Sequence, residues 1–131
     1  MTRRIVLASL LCLLPVIALG DDPKIIPAAE AKDHLDKACV VEMTVLLSKD
    51  VTTRKEHYLN SEADFHDPKN AVVVIAHEHL DAFKKVGIDD PSKHYLNKTI
   101  RVAGTPKKEG QQVRMRIDDP KHITIVEAKK P

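Results

Sequence analysis

The stretch of sequence that decides the fold is residues 71–87, Ala-Val-Val-Val-Ile-Ala-His-Glu-His-Leu-Asp-Ala-Phe-Lys-Lys-Val-Gly. Its first six residues are apolar and mostly β-branched, which predicts a strand that is buried on both faces. Residues 79–86 then take helical spacing, with Leu80, Phe83 and Val86 on one side, and the final glycine is a natural helix stop. A buried strand followed at once by a short helix is therefore the centre of the predicted domain.

Further strands are predicted on both sides of this unit. Alternating or apolar runs predict two strands before it, two after it and a short extra strand, at 39–47, 54–60, 99–105, 111–118 and 122–126. A helix is predicted over 27–35, and polar turns or loops over 48–53, 61–70, 89–93 and 106–110. The order is thus three strands, a helix and two strands.

A helix between the third and fourth of five strands is the order found in the OB-fold, a small Greek-key barrel. We therefore predict an all-β domain, with one or two short helices, that forms a five-stranded Greek-key barrel of the OB-fold type. Closing the sheet into a barrel suits a short chain because it leaves few strand edges exposed.

Three short segments carry a resemblance to a known group of proteins. Residues 97–104 are Asn-Lys-Thr-Ile-Arg-Val-Ala-Gly, and residues 113–123 are Val-Arg-Met-Arg-Ile-Asp-Asp-Pro-Lys-His-Ile after a turn that ends in Gly110. With Tyr-Leu-Asn at 58–60, they resemble exported bacterial OB-fold domain proteins of unassigned function, except that Asn97 stands where glycine is usual. The resemblance covers most of the chain after residue 20. It implies an exported domain with a fold like that of nucleic-acid-binding OB-folds.

The first twenty residues have the layout of a secretory signal peptide. Arg3 and Arg4 precede an uncharged apolar run over 5–19, and Ala18-Leu19-Gly20 offers small residues at a cleavage site. The run is shorter than the roughly 20 apolar residues that a membrane span needs, and Pro15 interrupts it. We expect cleavage near Gly20, export to the periplasm or the medium, and no membrane span afterwards, with a retained anchor as the alternative. The predicted organisation is a signal peptide at 1–20, a leader with a short helix at 21–35, an OB-fold domain at 36–127 and a polar tail at 128–131.

The predicted mature chain has a formal charge of zero. The full chain carries 21 Lys and Arg against 19 Asp and Glu, but Arg3 and Arg4 belong to the signal and all the acidic residues follow it. A neutral domain lacks the general field that attracts nucleic acid without specificity. Because Cys12 leaves with the signal, Cys39 cannot form an internal disulfide, and we expect it to be a buried, inert thiol.

Basic side chains and one tyrosine form the candidate ligand face. Arg114 and Arg116 share one side of the strand at 111–118, and Arg101 points outward from the strand before it. In an OB-fold the neighbouring loops border the ligand face, and an exposed ring is available to stack on a base. A solvated basic surface balanced by nearby acidic residues is the alternative. The candidate ligand-binding residues are Arg54, Tyr58, Arg101, Lys107, Lys108, Arg114 and Arg116.

No catalytic residue is assigned from the sequence. The pairs Asp89-Asp90 and Asp118-Asp119 each precede a proline, which is typical of turns. His77 and His79 could approach one another, but no HExxH or CxxC pattern supports them as metal ligands. We therefore predict neither a metal site nor a cofactor.

The sequence favours an exported, non-enzymatic OB-fold binding module for nucleic acid or another anionic ligand. One alternative is a protein-interaction or stress-related module of the bacterial envelope. A more distant alternative is a metal-dependent hydrolase, which would need a set of acidic ligands that the sequence does not indicate. Neither the ligand nor the partner follows from the residues alone.

Overall fold

The structure is a computed structural model that describes residues 24–126. The predicted signal peptide at 1–20 and the predicted tail at 128–131 lie outside these residues. The strands are β1 (Ile25–Pro27), β2 (Cys39–Thr44), β3 (Leu47–Val51), β4 (Glu56–Asn60), β5 (Ala71–Ala76), β6 (Thr99–Gly104), β7 (Lys107–Glu109), β8 (Gln112–Arg116) and β9 (Ile123–Ile125). The α-helices are α1 (Leu80–Lys84) and α2 (Pro91–His94), and 3₁₀ helices lie at Ala28–Asp33, His77–His79 and Pro120–His122.

The strands form two sheets that share one core. One sheet has four strands in the order β1-β2-β6-β9, and the other has five in the order β3-β4-β5-β8-β7. Within the described residues the chain passes between the sheets four times, at 45–46, 77–98, 105–106 and 117–122. Most neighbours are antiparallel, but β1 pairs in parallel with β2, and β5 in parallel with β8. The all-β class is therefore confirmed, with two sheets in place of one closed five-stranded barrel.

The apolar run at 71–76 forms β5, as predicted, in the middle of the five-stranded sheet. Val73 and Ile75 are fully buried in the core. Val72 and Val74 are 2% and 1% exposed and face the other side, where each lines a surface cleft. The prediction of a strand buried on both faces is confirmed.

The helix after β5 is confirmed but shorter than predicted. A 3₁₀ turn at His77–His79 precedes α1, and Phe83 is fully buried in the core. Val86, expected on the same side, is 62% exposed. It lies beyond the end of α1, where Gly87 turns the chain with φ of +88°.

Two segments predicted as turns contain strands. The segment 48–53 contributes most of β3, which pairs with β4, and the segment 106–110 contributes β7, which pairs with β8. Both lie at the edges of the five-stranded sheet, and polar side chains suit such edges, so their composition resembled that of turns. The segment 89–93, predicted as a loop, begins α2, because the Asp90 side chain caps the helix and Pro91 suits its first turn.

The N-terminal segment packs against the domain. Residues up to Ile26 were expected to form an exposed leader, but Ile26 lies in β1 and is only 2% exposed. The helix predicted over 27–35 is a 3₁₀ helix, in which Ala31 is fully buried. None of the helices between residues 24 and 126 has the length and apolarity that crossing a membrane requires.

Two single residues behave as their sequence context indicates. Asn97 adopts φ of +66°, which lies in the left-handed region. Glycine adopts this region most easily and asparagine more easily than most other residues, so either residue suits the position. Cys39 is buried as expected, and burial raises the pKa of its thiol. The thiol is therefore held in its less reactive, protonated form.

Candidate functional site

The outer side of the five-stranded sheet carries two of the four predicted arginines, Arg114 and Arg116. The pairing register sets Tyr58 beside Val74 and Val74 beside Arg116, and it sets Val72 beside Arg114. Alternation along the strands turns these side chains away from the core. We call this surface the sheet face and define it by Tyr58, Val72, Val74, Arg114 and Arg116. It has an apolar floor of valines with charged and aromatic groups above it.

Arg116 is held by two carboxylates. Its Nε and Nη2 donate to Glu109 at 3.0 and 2.8 Å, and its Nη1 donates to Glu56 Oε2 at 2.8 Å. The hydrogen bonds to Glu109 and Glu56 raise the pKa of Arg116, and those from Arg116 lower the pKa of Glu109. Burial opposes ionisation of Glu56, but hydrogen bonds from Tyr58 and Arg116 outweigh it and lower the pKa of Glu56. The charge of Arg116 is therefore balanced within the protein.

Arg114 is stacked on an aromatic ring. Its guanidinium carbon lies 5.0 Å from the centroid of Tyr58, within the range of a cation–π interaction. Its Nε and Nη2 donate to Gln112 Oε1 at 3.0 and 2.7 Å, and Nη1 lies 3.7 Å from Glu109. The Tyr58 hydroxyl donates to Glu56 at 2.6 Å, and burial together with that hydrogen bond raises the pKa of Tyr58. Ring and guanidinium are thus held as a stacked pair.

A cleft of about 730 Å³ opens at the β8 end of the sheet face. Its floor includes Val74 and Ala76. The charged residues that line it, with histidines left aside, are Lys107, Arg114, Arg116, Glu56, Glu78, Glu109 and Asp118. Basic and acidic groups are present in nearly equal number, so the cleft is balanced in charge. Acidic residues therefore lie beside the predicted arginines on this surface, and the sequence-based alternative of an offset basic face stays a prediction.

A second cleft of about 400 Å³ lies on the β3 side of the sheet face. Tyr58 and Arg114 line it together with Phe65, which comes from the loop between β4 and β5 and is 45% exposed. Sequence reasoning selected Tyr58 as the available ring and missed Phe65. The signal for it was a lone aromatic in an otherwise polar loop that directly follows a strand.

Four of the seven predicted ligand residues lie along these two clefts, namely Tyr58, Lys107, Arg114 and Arg116. The other three do not line either cleft. Arg101 projects from the four-stranded sheet, where its Nε donates to Glu42 at 2.9 Å. Lys108 faces the opposite side of β7 from Lys107, and Arg54 lies in the exposed turn between β3 and β4.

A separate polar cluster lies on the other side of β3 and β4. His77, considered with His79 from the sequence, instead lies beside Asp50 and His57. His77 Nε2 is 2.7 Å from Asp50 Oδ1, and His57 Nε2 is 3.9 Å from the same oxygen. The centroids of the two imidazole rings are 5.0 Å apart. His79 contacts Glu78 at 3.4 Å. We call Asp50, His57 and His77 the histidine cluster.

His57 is the buried member of the cluster, with 2% of its surface exposed. Its Nδ1 lies 3.3 Å from Ser92 Oγ and 3.6 Å from Asp90 Oδ1. Burial lowers the pKa of His57, although Asp50 and Asp90 act in the opposite direction, so the neutral imidazole is favoured. The sequence analysis did not select His57, and its partner Asp50 lies in a segment predicted as a turn, so the cluster was missed.

The chain resembles known proteins in its fold. No protein-family model matches it, and a search of curated proteins finds no relative. In structure it is similar to a protein described as an aspartyl-tRNA synthetase from Leishmania major Friedlin, at 13% identity and a TM-score of 0.51. That similarity covers 83% of this chain and 22% of the other, so the chain spans about a fifth of the synthetase. It is also similar to the hypothetical protein ygiW from E. coli, at 12% identity over 79% of this chain and 90% of that chain, with a TM-score of 0.47. Similarity at such low identity concerns the fold alone.

Proposed function

We propose that the chain is an exported, non-enzymatic OB-fold binding module that holds an anionic ligand on the sheet face. Export rests on the signal-like segment at 1–20. The strand order supports the fold assignment. The bent run β2–β3, followed by β4, β5, β6 and β8, supplies five strands, with α1 between the third and fourth. The similarity to part of the Leishmania protein, which is OB-fold-like, supports it as well.

The observation that carries the proposal is the stacked pair of Arg114 and Tyr58 above buried valines. OB-folds bind ligands on the face of their second and third strands, which here are β4 and β5. Tyr58 lies on β4, and Val72 and Val74 lie on β5. A ring and a guanidinium above an apolar floor suit a ligand that combines an anionic group with a planar one, as a nucleotide does.

The anionic group is proposed to contact Arg114 and Lys107. These residues are paired directly across β7 and β8 on the same side of the sheet. The carboxylates nearest to them, Glu109 beside Arg114 at 3.7 Å and Asp36 beside Lys107 at 3.2 Å, are less closely placed than those that hold Arg116. Two phosphate contacts to a single strand predict a salt slope of about −1.4 in log K against log salt.

The test is binding of a short, fluorescently labelled single-stranded oligonucleotide, measured by anisotropy at several salt concentrations. Arg114→Gln should weaken binding about tenfold, because both an anion contact and a stacked cation are lost. Arg101→Gln is the control, since Arg101 is also a strand arginine among the predicted ligand residues but lies on the other sheet. Absence of binding at low salt, or equal losses in the two variants, contradicts the proposal.

A protein partner is the second candidate function. The balanced charges of the larger cleft favour it, because paired charges at a surface provide specificity without strong general attraction. A crosslinking pull-down from the envelope fraction distinguishes the two. Capture of a protein whose binding changes little with salt, together with no oligonucleotide binding, would favour the envelope-interaction module.

A further inference from the structure

We propose that Asp50, His57 and His77 form a binding site for a divalent transition-metal ion of the zinc class. One potential ligand atom from each residue lies within 4.8 Å of the other two. Imidazole nitrogen and carboxylate oxygen are both ordinary ligands of Zn²⁺, and imidazole also suits Cu²⁺ and Ni²⁺. The site lies on the opposite side of β3 and β4 from the sheet face, so it goes beyond the proposed function.

Two neighbouring strands and the turn after a third build the site. Asp50 of β3 is paired directly with His57 of β4, and His57 is paired with Ile75 of β5. His77 is the first residue of the 3₁₀ turn that follows β5, and its Nε2 reaches Asp50 at 2.7 Å. The backbone N–H of His77 donates to the carbonyl of Lys55 at 2.8 Å, which holds the residue beside β4. The three side chains are therefore positioned by backbone pairing.

The buried imidazole of His57 has a nitrogen that needs a partner. The side chain is 3% exposed, and its Nδ1 faces Ser92. The Nε2 lies 3.9 Å from Asp50 Oδ1, and within residues 24–126 it has no hydrogen-bond partner. That distance is too long for a hydrogen bond, and a buried polar atom without a partner is rare in native structures. An ion between the three side chains would satisfy it.

The other side of His57 has the support that metal-ligating histidines usually have. A ligating imidazole commonly donates its second N–H to a hydroxyl or carboxylate, which orients the ring and selects the tautomer. Here Nδ1 lies 3.3 Å from Ser92 Oγ and 3.6 Å from Asp90 Oδ1. Asp90 is held in turn by the Ser92 backbone N–H at 3.0 Å and by the Ser92 hydroxyl at 2.6 Å. The arrangement leaves Nε2 available as the ligand atom.

Side-chain movements bring the three ligand atoms, which lie within 4.8 Å of one another, to tetrahedral spacing. Ligand atoms around tetrahedral Zn²⁺ are about 3.3 Å apart, so the 3.9 Å between His57 and Asp50 and the 2.7 Å between His77 and Asp50 each need to change by about 0.6 Å. Asp50 and His77 have side chains that are 38% and 27% exposed, which gives an ion access from solvent. Three protein ligands leave the fourth position for water or a further ligand.

Zinc binding by the purified chain without a polyhistidine tag tests the proposal. Calorimetry should show one ion bound per chain, and Co²⁺ should give the strong visible absorption of a four-coordinate site. His77→Gln and Asp50→Asn should each weaken zinc binding about tenfold or more. His79→Gln is the matched control, because this neighbouring histidine lies outside the cluster, and its zinc affinity should be unchanged.

The test uses variants of Asp50 and His77, which are partly exposed, because a substitution of the buried His57 such as His57→Gln can prevent folding. Zinc should raise the melting temperature of the unaltered chain and of His79→Gln, but not that of His77→Gln. The proposal is overturned if the unaltered chain binds no zinc, if His77→Gln and Asp50→Asn bind it as tightly as the unaltered chain, or if His79→Gln loses binding as well.

Discussion

Two arginines on one strand have different surroundings. Arg114 and Arg116 share a side of β8, as their spacing predicted, but Arg116 is bound by Glu56 and Glu109 while Arg114 stacks on Tyr58. Alternation is a local property and could be inferred. The partners come from β4 and β7, so their identity depends on how those strands are paired. The ion pairs of Arg116 organise the sheet face, and the proposed function assigns the ligand contact to Arg114.

Arg116→Met should destabilise the protein by about 1 kcal/mol at neutral pH, with a smaller effect in acid. The pKa values of Glu56 and Glu109 are lowered in the folded state, so their ion pairs stabilise the fold above the pKa of an unfolded glutamate. That contribution is lost as the pH falls through the lowered values. Urea unfolding of Arg116→Met and of the unaltered protein, at pH 7 and at pH 3, measures the loss of stability at each pH.

Arg101→Met serves as the control, since the side chains of Arg101 and of its ion-pair partner Glu42 are both exposed. Its effect on the free energy of unfolding should be smaller at pH 7. An equal loss of stability at both pH values for Arg116→Met would show that packing of the side chain, and not its charge, supports the face.

At the scale of elements, the short strands and helices depend on tertiary contacts that the amino-acid composition of a segment does not reveal. β3 and β7 are polar and lie at sheet edges, and α2 has a single turn. The dipeptide Asp90-Pro91 is nevertheless a recognisable helix start, because an aspartate cap followed by proline suits the first turn. Because the same residues also favour a turn, the sequence predicts a loop at this position.

Asp90→Ala should cost about 1 kcal/mol of stability, as expected for the loss of a helix cap. Its carboxylate accepts from the backbone N–H of Ser92 at 3.0 Å and from the Ser92 hydroxyl at 2.6 Å. Asp89→Ala is the matched control, because the neighbouring aspartate is exposed. Chemical denaturation of the two variants provides the comparison, and equal stabilities would mean that the cap contributes little.

At the scale of the whole molecule, β1 lies before the predicted start of the domain but contributes to the core of that domain. β1 extends the four-stranded sheet in parallel to β2, and Ile26 lies beside Val41 in the pairing. The predicted domain boundary at residue 36 stays a prediction, but Ile26 is in the same buried cluster as the central strands. Removing this segment should therefore affect the stability of the whole sheet.

Ile26→Ala should destabilise the protein by about 3 kcal/mol, because it removes buried methyl groups and leaves a cavity. Ile25→Ala is the matched control, since Ile25 is in the same strand but is 45% exposed. Thermal or urea unfolding of the two variants should separate them clearly. Similar stabilities would indicate that β1 is not packed as described.

The fold could be predicted further than the site. The run at 71–76, the helix after it and the alternation at 111–118 all follow from local periodicity, and they are confirmed. The edge strands were missed because they are short and rich in polar residues, although each pairs with the strand that follows it in sequence. Arg101 was grouped with the other arginines because outward alternation cannot tell which of two sheets a strand belongs to.

The amino-acid sequence alone determined the all-β class, the central buried strand and the side on which residues of the predicted strands lie. These are properties of adjacent residues, set by a period of two and by β-branched side chains. Only the tertiary structure decided that Arg116 is neutralised, that Arg114 stacks on Tyr58 and that Asp50, His57 and His77 meet. These contacts depend on strand register and on where the chain passes from one sheet to the other, and both are set by packing over the whole molecule.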